Sequence, residues 1–293
     1  MNIILGTLIF IIVLFIYLHI FHHLKTSNDL EVFELSELSK ERLEEICDIR
    51  QPLTFNLNLD CFNKLRMENI IDTYGSFDIT LRDLSSNNMN TELFLPIIIK
   101  KGVKVLQEDK NNQFISERNQ DFLKETSLIK VIKANDAFLR PPMLMYSNYD
   151  YLMGSAGTTT PLRYQMDYRH YIVVLNGKIN VKLTPPKNKK YLYPDNDYDN
   201  FEFRSPINPW QIQDKYKAEF DKIKCLDIEL EKGKLLYIPA YWWYSIKFES
   251  SESTVLSFSY RTYMNTVAIF PNLFISFLQK QNIKHDIIQK IIK

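Results

Sequence analysis

The chain has 293 residues and a mass of 34.8 kDa, enough to bury a substantial core in one large domain or two small ones without metals or disulfides. Its 36 basic and 35 acidic side chains leave a formal charge of +1, so no nucleic-acid partner is expected on electrostatic grounds. Three dispersed cysteines, Cys47, Cys61 and Cys225, argue against a disulfide scaffold and against a cysteine-rich zinc site.

Residues 3–21 read IILGTLIFIIVLFIYLHIF, with no acidic residue, lysine or arginine. As a helix this stretch spans about 28 Å, close to the hydrocarbon thickness of a bilayer. A cleaved signal peptide fits less well, because a basic n-region and a small-residue cleavage site are both missing. A buried soluble helix fits poorly too, since the run is apolar on every face. The expectation is a single transmembrane anchor over residues 1–25, of orientation left open by the sparse flanking charge. Three of the five histidines (His19, His22, His23) belong to this region, which leaves only His170 and His285 for the rest of the chain.

Residues 26–40 read as a linker and the start of a flanking helix, which continues over 36–48 with acidic residues near its start. Residues 50–60 alternate behind a proline, as an edge strand would, residues 63–71 suggest a short helix, and 73–83 a strand. The polar stretch 85–90 reads as a loop and 114–129 as short helical turns. Residues 168–186 read as two strands meeting at Asn176-Gly177, the strongest hairpin signal in the chain. Residues 187–216 form a long polar excursion, and 224–261 supply further short strands around Gly233 and Pro239. From residue 263 onward the spacing turns helical, with an Ile-rich face suited to packing on the barrel, to a dimer contact or to a membrane. The predicted class is mainly β with flanking helices: a jelly-roll or double-stranded β-helix preceded by a transmembrane helix.

The stretches TPLRYQMDYRHYIVVLNGKINVKLTPP, KYLYP and GKLLYIPAYWWYSI carry a resemblance. They are similar to the cupin-like domain shared by JmjC proteins and the factor-inhibiting type of asparaginyl hydroxylase, which are iron(II) and 2-oxoglutarate oxygenases. The resemblance covers residues 41–262 and leaves 263–293 as a helical tail. It implies a metal site made by His-x-Asp on one strand and a histidine directly after the Trp-Trp pair, two imidazoles and a carboxylate that leave coordination positions open for cosubstrate and oxygen. Here those positions read Arg163, Gln165 and Tyr244. A guanidinium has no lone pair, a carboxamide is a weak ligand and a phenol resists ionisation, so neither metal nor cofactor is expected.

The lysine that grips 2-oxoglutarate in the resembled enzymes aligns with Ile179, while Lys178 points to the other face unless the register slips. Arg163 has two readings: paired to a buried carboxylate such as Asp167 where the metal would sit, or an anion receptor. The residual pocket of the second reading draws on Thr159, Thr160, Arg163, Gln165, Lys178, Ile179, Trp242, Tyr244 and Ser257. The aromatic run Tyr237, Tyr241, Trp242 and Trp243 reads as core, and KNKK at 187–190 as a solvated loop. The expected function is a membrane-anchored, catalytically inactive cupin-like protein with a structural or protein-binding role, through a partner or its own copies. Two alternatives stay open: an enzyme with a noncanonical site, such as a metal held by Asp167 and His170, and a sensor of a small anionic metabolite. The Asn, Ile and Lys richness suggests an AT-rich genome, and with the resemblance a giant DNA virus, which would place the chain in a virion or host internal membrane.

Overall fold

The computed structural model describes residues 2–36, 38–85 and 94–292, with side chains described from residue 3 to residue 281. The expected loop at 85–90 therefore falls almost wholly outside the described residues, as do the side chains of the isoleucines near the C-terminus and of His285. The chain opens with α1 (Asn2–Leu24), β1 (Phe33–Leu35), α2 (Lys40–Ile49), β2 (Leu53–Asn56), α3 (Met67–Tyr74), β3 (Asp78–Asp83), β4 (Phe94–Ile98), α4 (Ile99–Glu108), β5 (Phe114–Ser116), α5 (Gln120–Glu125) and α6 (Leu128–Asn135). There follow β6 (Leu144–Gly154), β7 (Arg163–Tyr164), β8 (Arg169–Asn176), β9 (Lys178–Thr184), β10 (Asp195–Asp197), β11 (Glu202–Arg204), α7 (Asp214–Phe220), β12 (Leu226–Glu231), β13 (Lys234–Ile238), β14 (Trp243–Phe248), β15 (Thr254–Thr262), α8 (Tyr263–Ala268) and α9 (Phe270–Ile292).

Two sheets organise these strands. The larger runs β1-β2-β13-β8-β15-β6-β5-β3-β4 and the smaller β10-β11-β7-β14-β9-β12. Their centres, β13-β8-β15-β6 and β7-β14-β9-β12, face each other as the predicted double-stranded β-helix. Period-two alternation explains the three cores. Ile172, Val174, Val181, Leu236, Ile246, Phe248 and Val255 fill the space between the sheets. Tyr171, Tyr237, Leu256 and Tyr260, on the opposite face of the larger sheet, bury Leu43, Ile46 and the other flanking-helix residues. Trp243 joins Tyr164, Met166, Phe203 and Ile269 in a third cluster behind the smaller sheet. The aromatic run is therefore core, as expected, with Trp242 between the sheets and Tyr237 and Trp243 each facing outward from its own sheet.

Four expectations need correction. Asn176-Gly177 is no hairpin: β8 pairs with β13 and β15, whereas β9 pairs with β12 and β14. The dipeptide turns a corner between sheets, and Gly177 takes a positive φ of 71° there. The strand in 50–60 is not an edge, because β2 lies between a parallel β1 and an antiparallel β13. The excursion at 187–216 contains β10 and β11, which extend the smaller sheet beside β7. The flanking helix is shorter than 36–48 because Ser39 caps it, its hydroxyl accepting from the Arg42 N–H, and Arg50 closes it in the left-handed region.

α1 forms as one unbroken helix, long and apolar enough to cross a membrane, with none of its apolar stretch buried.

Candidate functional site

The register of the larger sheet builds a floor from cross-strand rows. Antiparallel pairing sets Asn148, Ser259 and His170 in one row, Asp150, Ser257 and Ile172 in the next, and Leu152, Val255 and Val174 in a third. Alternation points all three rows between the sheets, so one end of the barrel is polar and the other apolar. Opposite this floor, Arg163 of β7 pairs across from Tyr244 of β14 and Arg204 of β11. The walls enclose a cavity of about 130 Å³, lined among others by Glu117, Asp150, Arg163, His170, Glu202 and Tyr244.

The three positions that the resemblance sets against metal ligands, Arg163, Gln165 and Tyr244, do converge here. Gln165 Nε2 donates to the Tyr244 hydroxyl at 3.0 Å, and the Arg163 guanidinium stands 5.7 Å from the Tyr244 ring centre. Arg163 is held by two carboxylates, Glu117 Oε2 at 2.7 Å and Glu202 Oε1 at 3.3 Å. Arg82, fully buried, bridges the same two carboxylates, and Arg118 reaches Glu202 at 2.6 Å. Burial pushes the Glu117 carboxyl up, but the fields of Arg163, Arg82 and Arg118 outweigh it and hold the group well below the usual carboxylate range. Glu202 is lowered against its own burial by Arg82 and Arg163.

Arg163 thus pairs with buried carboxylates, as the first reading of it required, but not with Asp167. Asp167 accepts from Arg261 instead and is not among the residues that line the cavity. The carboxylate that a metal held by Asp167 and His170 would need is thus engaged by a guanidinium, and the two residues belong to no cluster of three metal-binding side chains among the described residues. Of the nine residues expected to line a residual pocket, Arg163, Gln165, Tyr244 and Ser257 do so. Thr160 instead braces backbone, its hydroxyl accepting from the Ile246 N–H at 2.8 Å, and Thr159 forms an isolated bridge with Lys247. Trp242 and Ile179 are buried in the apolar core between the sheets. Lys178 points outward to an ion pair with Glu229, as its place one residue from Ile179 dictates, so it grips nothing in the barrel.

A second chain of polar contacts crosses the floor. Ser259 Oγ donates to Gln165 Oε1 at 3.0 Å and, having spent its hydrogen there, accepts from His170 Nδ1 at 3.0 Å. The Nε2 of His170 then carries a lone pair, and this buried atom has no partner among the described residues. Burial and the nearby Arg163 charge lower the His170 pKa to about 3, so the imidazole is neutral. Burial raises Asp150 to about 6, although the backbone N–H groups of Arg118 and Asn119 donate to it at 2.8 and 2.7 Å.

Iron does not fit this donor set. The three aligned positions supply a cation, a neutral amide and a phenol whose pKa burial raises further. Of the carboxylates that line the cavity, Glu117 and Glu202 are spent on guanidinium groups and Asp150 on the backbone N–H groups of Arg118 and Asn119, and no cluster of three His, Cys, Asp or Glu side chains occurs among the described residues.

Sequence reasoning missed Glu117, Arg82, Arg118 and Glu202. Glu202 sits in a polar excursion that gave no strand signal, and Glu117 leaves its short strand at a turn. His170 was missed as a cavity residue too, although its alternation with Ile172 and Val174 is the signal that could have placed it there.

Residues 63–266, more than two thirds of the chain, match the cupin-like domain family, and the chain belongs to that family. No curated protein matches it.

Proposed function

We propose that this protein is a membrane-anchored, catalytically inactive cupin-like scaffold that works by binding a protein partner or further copies of itself. The observation that carries the reading is the guanidinium of Arg163, locked between Glu117 and Glu202 where the family's metal would bind. An enzyme could not readily displace it, because removing Arg163 from the cluster leaves two buried carboxylates undercompensated. The exposed apolar helix α1 supports the anchor. Location in a virion or a host internal membrane rests on composition and resemblance. The test is turnover: the full chain in detergent, supplied with iron(II), ascorbate, oxygen and 2-oxoglutarate, should form no succinate above a protein-free control. Enzyme-dependent succinate would refute inactivity.

A second reading, a small-molecule sensor, is favoured by the partnerless Nε2 of His170 in the cavity. The charge on Arg163 is already neutralised, so the cavity suits a hydrogen-bond donor better than the anion first expected. A thermal-shift panel of small amides and polyols tests it, and stabilisation that is lost in His170→Phe would support it.

A further inference from the structure

The last two helices present their faces the wrong way round for a solvated tail. Asn265, Ala268, Ile269 and Ser276 are buried, whereas Tyr263, Val267, Phe270, Phe274, Phe277 and Leu278 are exposed. The exposed set recurs at a spacing of four in α8 (263, 267) and of four and three in α9 (270, 274, 277), so the two successive helices each carry an exposed apolar stripe. Phe270 and Phe277 are each 58% exposed. Met143 lengthens the stripe, because its carbonyl accepts the Tyr263 N–H and its side chain is also exposed. A patch of this kind on a soluble surface marks an interaction site.

What covers it is indicated by α1. The anchor helix contacts α8 near its C-terminal end. Its last turn is seated on the domain, with His23 buried against Tyr168 at a ring-centre distance of 4.9 Å. Leu24 and Thr26, where the helix ends, line the same cleft as Asn272 in the first turn of α9. The stripe therefore begins level with the end of the apolar helix, where a bilayer crossed by α1 would have its boundary. Its aromatic composition is that of side chains that settle at headgroup depth.

We propose that α8 and the first turns of α9 lie in the surface of the bilayer that α1 crosses, with Tyr263, Val267, Phe270, Phe274 and Phe277 inserted among the lipids. The proposal rests on the membrane-anchor reading above. Contact with lipid converts a solvent-exposed apolar stripe into buried area and gives the domain two attachments, which fix its tilt as one helix alone would not. A second copy of the chain is the rival occupant of this face.

The experiment uses the full chain in phosphatidylcholine vesicles doped with a lipid whose acyl chain carries a photoactivated carbene precursor, followed by peptide mapping of the adducts. The expected result is adducts on residues 3–21 and on 263–278, with none on the barrel strands β12 and β13. In a Phe270→Glu, Phe274→Glu, Phe277→Glu variant the second set should fall to the level of the barrel peptides while the first persists. Adducts confined to residues 3–21, with or without crosslinks between two copies through 263–278, would overturn the inference and leave the anchor intact. Adducts on neither stretch would remove the anchor reading and the inference with it.

Discussion

At the scale of single residues, Arg163 decides the chemistry of the barrel. Its planar fork reaches Glu117 and Glu202 together, which a single ammonium could not do with the same geometry. Arg163→Met should therefore destabilise the fold by about 3 kcal/mol, the cost of leaving buried carboxylates short of a cation, and Arg163→Lys should recover only part. Urea unfolding of the full chain in detergent measures both. The pH dependence follows from the same groups. Glu117 and Glu202 have folded pKa values below the ordinary carboxylate value of 4.5, so their stabilisation is complete above pH 4.5 and drains away as pH falls through the depressed values. Asp150 acts in the opposite sense: raised from 3.8 to about 6, it contributes stability below pH 3.8 that is lost as pH rises through 6. Thermal unfolding scanned from pH 3 to pH 7 should thus show Glu117→Gln with a shallower acid limb than the native chain, and Asp150→Asn without the loss between about pH 4 and 6. An unchanged acid limb in Glu117→Gln would mean that the carboxylate is not ionised within the cluster.

At the scale of elements, the corner at Gly177 is a demanding piece of backbone. It carries the chain from the larger sheet to the smaller at a positive φ, and an added Cβ would meet the Ser253 Cα at 2.8 Å. Gly177→Ala meets both the left-handed strain and that backbone contact, so a loss of about 2 kcal/mol is expected in the same urea measurement. By contrast, Gly233 also has a positive φ but open space around it, so Gly233→Asn should cost well under half as much. Turn chemistry was legible at both glycines, whereas the destination of the following strand was not. Asn-Gly reports local dihedral freedom, and whether the next strand folds back on its neighbour or crosses to another sheet is settled by which apolar face it must bury. Ile179, Val181 and Leu183 bury theirs against the floor of the larger sheet.

At the scale of the whole molecule, alternation along β8, β9, β14 and β15 and the length of the N-terminal apolar run were enough to anticipate a barrel behind a candidate membrane helix. The meeting of Arg163, Gln165 and Tyr244 in one cavity was legible, because their spacing along facing strands brings them together. The partners of Arg163 were not, since Glu117 and Glu202 come from a short strand end and from a polar excursion, and a buried carboxylate looks like a solvated one until the chain is folded. Asp167, close in sequence, was the natural guess and pairs with Arg261 instead. The central claim, that an internal ion cluster has taken the place of a metal centre, is tested most directly by loading the full chain with iron(II) and 2-oxoglutarate under anaerobic conditions and measuring bound metal by elemental analysis after desalting. The account predicts iron far below one equivalent and no difference with or without 2-oxoglutarate. Iron near one equivalent, retained only when 2-oxoglutarate is present, would contradict it.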